Sequence, residues 1–454
     1  MIMNINYRLQ KNGFVVSVDH KDYTVSYEEN VFSELPERFK HYFAQNLTFA
    51  VTQYIPLQAK EGIAQYGFPL PASEPFFFKN LLYDLLSCEI ADKTNTPLEY
   101  LQRFYNTDYQ FSTDYADHTA GQLFPNDTDK KTVILPFTFG KESLLTYALF
   151  KEVGLNPILF YSQEPVQPYE EEQKIKNLEK LHQETGVLYH FTRNEPGMFR
   201  YGKALNLPYE TEIGWGTQTT TLALMALPYA FHYKASAVVF GSEYLNNEFR
   251  DYYGWKAYLS ADQTSEWTRQ QNSMLRLLTG GVTGVYSSLE PLDEINIFYI
   301  LHKRYPQLGK YQFSCTAENP PVGNGNWCHA CYKCARMYLF AIACGIEPKS
   351  IGFSEDLLQK TGMFNHYFGT EYETGSSDEL NFAFYVLSKK KVSSPYVTLF
   401  EQQKLPSLKP WDWYVDFFTS LQPEQNLIPV AKERLVSIFS SELTDFRAYL
   451  LSLT

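Results

Sequence analysis

Val133-Ile134-Leu135-Pro136-Phe137-Thr138-Phe139-Gly140-Lys141-Glu142-Ser143-Leu144-Leu145 decides the fold class of this chain. The apolar run at 132–135 predicts a short strand of the buried type, leading through a tight loop into a helix over 143–153. Such a turn aims free helix N–H groups and the positive end of the helix dipole at one spot, which favours an anion there. Gly140 permits close backbone approach, Lys141 adds a positive charge and Ser143 a hydroxyl. An ordinary βα turn with a capped helix has the same parts, and the Gly-x4-Gly-Lys-Ser/Thr spacing of a Walker loop is absent. Working outward, the sequence predicts a strand at 157–161, a charged helix at 169–185, a helix around 219–233 and a strand at 237–240. Strands alternating with helices imply βαβ units and a parallel sheet, hence an α/β fold.

Upstream the rhythm differs. Residues 14–18 and 23–27 alternate polar and apolar around His20-Lys21-Asp22, which predicts a hairpin with its turn at those three residues. Phe77, Leu81, Leu82 and Leu85 recur at helical spacing over 75–87, with Pro75 suited to the first helical position. The polar stretch 107–131 reads as a linker. Residues 1–125 are therefore expected to form a smaller α+β domain, 126–390 the parallel-sheet domain, and 391–454 a C-terminal helical extension with a helix at 431–451.

The chain has 454 residues, with 44% hydrophobic and 20% charged, ample for a buried core. Aromatics reach 17%, enough to fill cores or to line a large pocket. A net charge of -12 argues against extended nucleic-acid binding but leaves room for a small anion at one site. The first residues lack the pattern of a signal peptide, and no stretch approaches the ~18–20 apolar residues of a membrane helix. A cytoplasmic protein without a membrane partner is expected.

Of six cysteines, Cys315, Cys328, Cys331 and Cys334 crowd into twenty residues (315–334). Four thiolates spaced Cys-x12-Cys-x2-Cys-x2-Cys suffice for a closed tetrahedral zinc site, and a closed site has a structural role. An iron–sulfur cluster takes the same ligands, so both metals remain open. Cys88 and Cys344 are expected to be buried bystanders, and His329 to lie beside the metal or at the surface.

Thr138-Phe139-Gly140-Lys141-Glu142-Ser143 resembles the Ser-Gly-Gly-x-Asp-Ser signature of the PP-loop ATP pyrophosphatases. Thr138 and Glu142 keep the chemistry of the residues they replace, whereas Phe139 restricts the backbone where that signature has glycine. With a cysteine knuckle about 170 residues later, the pattern resembles the 7-cyano-7-deazaguanine synthase family. More of the chain is similar to the UDP-N-acetylmuramoyl-L-alanyl-L-glutamate epimerase family, through the segments at 139–144, 240–246, 287–294, 311–315 and 327–334. That resemblance covers roughly 130–385 and the layout of the N-terminal region, with a fainter echo at 372–375 and 378–379. It implies a Rossmann-like PP-loop domain using ATP, Mg²⁺ and a structural Zn²⁺. ATP would convert a substrate carboxylate to an acyl-adenylate, releasing pyrophosphate and acidifying the adjacent α-proton. Removal of that proton, its return on the other face and hydrolysis would turn the terminal L-Glu of a UDP-linked muramoyl peptide into D-Glu, in peptidoglycan precursor synthesis. In the deazaguanine alternative, ammonia attacks the adenylate to give an amide and then a nitrile. A non-catalytic, nucleotide-binding zinc protein is the third possibility.

Candidate residues follow from these readings. Thr138, Phe139, Gly140, Lys141, Glu142 and Ser143 would hold phosphate, with Gly241 at the end of a later strand and Gln163 where adenine would lie. Lys141, Ser143 and Glu243 are the catalytic candidates, Glu243 either holding Mg²⁺ or a ribose or standing as a plain surface carboxylate. Thr217, Gln218, Asn246 and Glu290 are candidates for substrate contact, against capping and turn roles. Arg336 would reach a phosphate or lie exposed, and His302, Glu243 and Glu266 are the candidates for a proton-transfer base.

Overall fold

The computed structural model describes residues 2–58, 62–87, 96–117, 119–166, 168–207, 213–315, 326–369 and 377–453. The strands there are β1 (Ile2–Gln10), β2 (Gly13–Val18), β3 (Lys21–Ser26), β4 (Ile63–Tyr66), β5 (Asp108–Phe111), β6 (Asp129–Pro136), β7 (Asn156–Gln163), β8 (Tyr189–Asn194), β9 (Ala235–Phe240), β10 (Phe249–Tyr252), β11 (Trp255–Tyr258) and β12 (Gly284–Ser287). Ten of them form one sheet in the order β12-β9-β6-β7-β8-β3-β2-β1-β4-β5, and β10 and β11 form a separate hairpin.

The half from β12 to β8 is parallel throughout. Its strands are buried on both faces: Thr132–Pro136 of β6 are all buried, as an apolar run without alternation requires. Val133 and Leu135 enter one core, whereas Ile134 enters the other, as the two-residue period of a strand dictates. The first core also takes Leu144, Leu145 and Phe150 from the helix Lys141–Glu152 and Leu435, Phe439 and Phe446 from the helix Lys432–Leu451. The chain runs from β6 outward through β7 and β8, then crosses back to β9 on the other side of β6. That reversal makes the carboxyl ends of β6 and β9 the place where an α/β sheet opens a crevice.

The other half is mixed. β3 joins β8 antiparallel through Val25↔Asn194 and Ser26↔Arg193. Phe14, Phe43 and Phe49 share a core with Ile134, Phe160 and Tyr229, so both sheet and core continue across residue 125. Three local expectations need correcting. The hairpin turn sits at Asp19-His20, where Asp19 takes φ 53°, and Lys21 and Asp22 already belong to β3. The stretch 107–131 contains β5 and the start of β6 as well as a linker. The helix at 219–233 is two helices, Gln218–Met225 and Leu227–His232, with Pro228 in the first turn of the second.

Candidate functional site

The loop after β6 takes the backbone path that a glycine would favour. Phe139 has φ 61°, in the left-handed region that costs a non-glycine residue about 1–2 kcal/mol. Its ring is fully buried, 4.8 Å from Phe137 and 6.3 Å from Tyr311, and burial of an aromatic ring offsets a cost of that size. Its carbonyl accepts a hydrogen bond from Phe313 N at 2.8 Å, tying the loop to the segment that leads to Cys315. Gly140 caps the helix Lys141–Glu152 with an ordinary φ of -62°. Gly241 matters for space: a Cβ there would lie 2.8 Å from Glu142 Cβ and 3.0 Å from its backbone, so the end of β9 presses directly on the loop.

Lys141 is 4% exposed and bonded to two carboxylates, Glu142 and, at 2.7 Å, Glu294. Burial works against its charge, but Glu142, Glu294 and Glu243 outweigh burial and keep the ammonium protonated far above the usual lysine range. Glu294 also meets Arg336, whose guanidinium lies 2.6 Å from the buried Glu379. Burial opposes the charge of Glu294, yet Arg336 and Lys141 hold its carboxyl down to about 2. Glu243 stands in the opposite situation. Burial raises its carboxyl well above the usual range against the pull of Lys141, and Glu294 and Glu142 add to the rise. Its Oε2 has no hydrogen-bond partner among the described residues. Asp293, fully buried before the helix Glu294–Arg304, is likewise raised by burial first and Glu243 second.

These groups border a cleft of about 720 Å³ at the carboxyl ends of β6, β7 and β9. Thr138, Gly140, Lys141, Glu142 and Ser143 line one side, with Gly241, Glu243 and Asn246 beside them. Gln218 and Trp215 also line it, as do Cys315, Lys333 and Arg336 from the cysteine region. Ser143 turns its hydroxyl back onto Gly140 O at 3.1 Å. Other sequence candidates do not line the cleft. Phe139 is in the core, and Gln163 donates to Glu171 at 3.0 Å. Thr217 donates to Gly214 O at 2.9 Å. Glu290, 2% exposed, accepts from the backbone and side chain of Asn426, both at 2.6 Å, and so anchors the C-terminal segment. Of the three proton-transfer candidates only Glu243 lines the cleft. His302 is buried with Nε2 on Gln312 at 2.7 Å, and Glu266 pairs with Lys79 at 3.7 Å.

Cys315, Cys328, Cys331 and Cys334 converge, with all four sulfurs within 4.8 Å of one another. The Cys328–Cys334 and Cys331–Cys334 sulfurs lie 3.7 and 3.5 Å apart, near the edge of about 3.8 Å that a tetrahedron with zinc–sulfur bonds of about 2.3 Å would have. Backbone N–H groups of Ala330 and Cys331 donate to the Cys328 sulfur, and Cys334 N donates to the Cys331 sulfur, as suits thiolates. The set fits a structural metal such as zinc. Cys331 caps the helix Tyr332–Ala343 and Cys334 lies in its first turn, so two of the four sulfurs start the helix bearing Arg336. His329 stands outside the sulfur group, its Nε2 accepting from Ser354 N at 3.0 Å. Cys344 is buried apart from the cluster, while Cys88, the segment 316–325 and the echo at 372–375 lie outside the described residues.

Sequence reasoning missed the roles of Glu294 and Glu379. Each is an acidic residue in the first turn of a helix, a position that dipole compensation alone explains. Only the fold brings them to Lys141 and Arg336. Among the described residues no helix is long and apolar enough to cross a membrane. Compared with known proteins, the chain is matched by no family model and by no curated protein.

Proposed function

We propose that this chain is an ATP-dependent PP-loop enzyme that activates a substrate carboxylate as an acyl-adenylate and epimerises the centre beside it, with UDP-N-acetylmuramoyl-L-alanyl-L-glutamate as substrate. The observation that carries the reading is the glycine-capped helix start at 138–143, which opens onto the cleft at the sheet's crossover point, beside Glu243. The left-handed Phe139 supports it, because the loop keeps a glycine-like path without the glycine.

In this reading the N–H groups at the start of the helix Lys141–Glu152 hold phosphate oxygens, and Lys141 offsets the charge that grows as pyrophosphate leaves. The cleft wall carries five carboxylates (Glu142, Glu164, Glu170, Glu243, Glu294) and four cations (Lys141, Lys174, Lys333, Arg336), so a polyphosphate would enter with its own Mg²⁺. Glu243, with its raised affinity for protons, would carry the proton of the α-carbon. Trp215 and Gln218, which also line the cleft, would meet the rest of the substrate. The four sulfurs would hold Zn²⁺ as a closed structural site.

The test follows AMP, pyrophosphate and the glutamate stereocentre together, with metal-loaded protein, Mg-ATP and the UDP-muramoyl dipeptide. Substrate-dependent AMP and pyrophosphate with appearance of D-Glu is the expected outcome. AMP formation without inversion would overturn the epimerase reading and keep carboxylate activation, whereas no AMP with this substrate would overturn both for it.

A further inference from the structure

The four cations on the cleft wall are not equivalent. Lys141 is shared between Glu142 and Glu294, Lys174 is paired with Glu170, and Arg336 is held between Glu294 and Glu379. Each is already paired with a carboxylate of the protein. Lys333 is exposed, lines the same cleft and has no carboxylate in ion-pair contact among the described residues. Its positive charge nonetheless reaches Glu294, which Lys141 and Arg336 share.

The helix itself does not explain this lysine. It occupies the first turn of the helix Tyr332–Ala343, where a cation works against the helix dipole by about 0.3–1 kcal/mol. It also stands between Cys331 and Cys334, two of the four converging sulfurs, so its backbone is fixed where the metal would be bound. A long side chain on a rigid base, with free charge over a cleft, suits a phosphoryl oxygen, which an ammonium binds as a point charge.

We infer that Lys333 is the cleft's anion-contacting residue: it takes a phosphoryl oxygen of a polyphosphate ligand, and the four-sulfur site holds it in position to do so. The phosphate would be that of a nucleoside triphosphate and its pyrophosphate product, or the diphosphate of a UDP-linked substrate. The first of these sources rests on the ATP reading above, and the second does not.

The experiment is calorimetric titration of zinc-loaded wild type, Lys333→Gln and Lys333→Arg with Mg-ATP, Mg-pyrophosphate and UDP, with zinc content and melting temperature measured on each. Losing a charge-assisted hydrogen bond would raise Kd by about 10- to 100-fold in Lys333→Gln, with zinc and melting temperature kept and Lys333→Arg largely restored. Weakening confined to ATP and pyrophosphate assigns the contact to the nucleotide, and weakening confined to UDP assigns it to the second substrate. Unchanged affinity in Lys333→Gln for every probe the wild type binds overturns the inference, and leaves the ATP reading intact when Mg-ATP is among those probes. A wild type that binds UDP alone, weakened by the substitution, sinks the ATP reading and keeps Lys333. A wild type that binds none of the three overturns both.

Discussion

The loop at 136–143 and the knuckle at 326–336 face one cleft, yet they are held in opposite ways. The loop is fixed by protein alone: a buried ring at Phe139, a backbone bond to Phe313 and a lysine clamped by two carboxylates. The knuckle instead gathers four sulfurs that fit a structural metal, and as thiolates they would repel one another until a metal bound. One wall is therefore set by folding, and the other is built to take an ion as well. Tyr311–Cys315 joins them, since Phe313 holds the loop and Cys315 belongs to the sulfur group.

The largest effect expected from breaking this contrast is at the knuckle. Cys331→Ser should lose the metal and several kcal/mol of stability, because binding energy at a structural zinc is folding energy. Metal analysis and urea unfolding check it, and full metal retention would sink the four-thiolate site. Next comes the clamp on the loop. Glu294→Gln leaves Lys141 and Arg336 buried without their shared carboxylate and should cost about 3–5 kcal/mol. A urea midpoint equal to wild type would mean that the clamp contributes nothing.

How much of this was legible in the sequence depends on the range of the interactions. The strand at 132–135 and the helix after Gly140 could be read because a buried apolar run and a helix start are local signals. The sulfur group could be read because the spacing of its ligands is itself the signal. β1 escaped notice, since Ile2–Gln10 fully buries only Ile5 and its pattern looks like a polar terminus. Glu290 looked like a ligand contact and instead anchors Asn426, a partner 136 residues away that no local pattern predicts. The Lys141–Glu294–Arg336–Glu379 chain is of the same kind, joining four helices that are distant in sequence.

Two smaller tests sharpen the comparison where loop and knuckle meet. His302 supports that junction through Gln312, whose amide donates to Ser314 at 3.0 Å. Burial pushes its imidazole down to about 4, against the opposing effect of the hydrogen bond that it donates to Gln312. The unfolded chain therefore binds the extra proton between about pH 6.5 and 4, and the folded one does not. This contribution is fully present above pH 6.5 and is lost as pH falls towards 4, by up to ~3 kcal/mol. His302→Gln should flatten the stability profile across that window, and an unchanged slope in parallel urea titrations would refute it. The smallest effect separates two truncations of one ring. Phe139→Ala and Phe139→Gly lose the same packing, but alanine keeps the left-handed strain, so the glycine variant should be more stable by about 1 kcal/mol. Equal melting temperatures would show that the loop relaxes once the ring is gone.

The seam between β3 and β8 sets a practical rule for anyone dividing this molecule. Two residue pairs hold it, but they close the flank of the parallel sheet. A fragment starting near residue 126 would lose the strand that covers Arg193 and Asn194 of β8, leaving their backbone groups open to a strand from another molecule. Such a fragment should clump during production even with its cleft intact. The first quarter of the chain contributes nothing to the cleft lining, yet it supplies the strand that covers this edge.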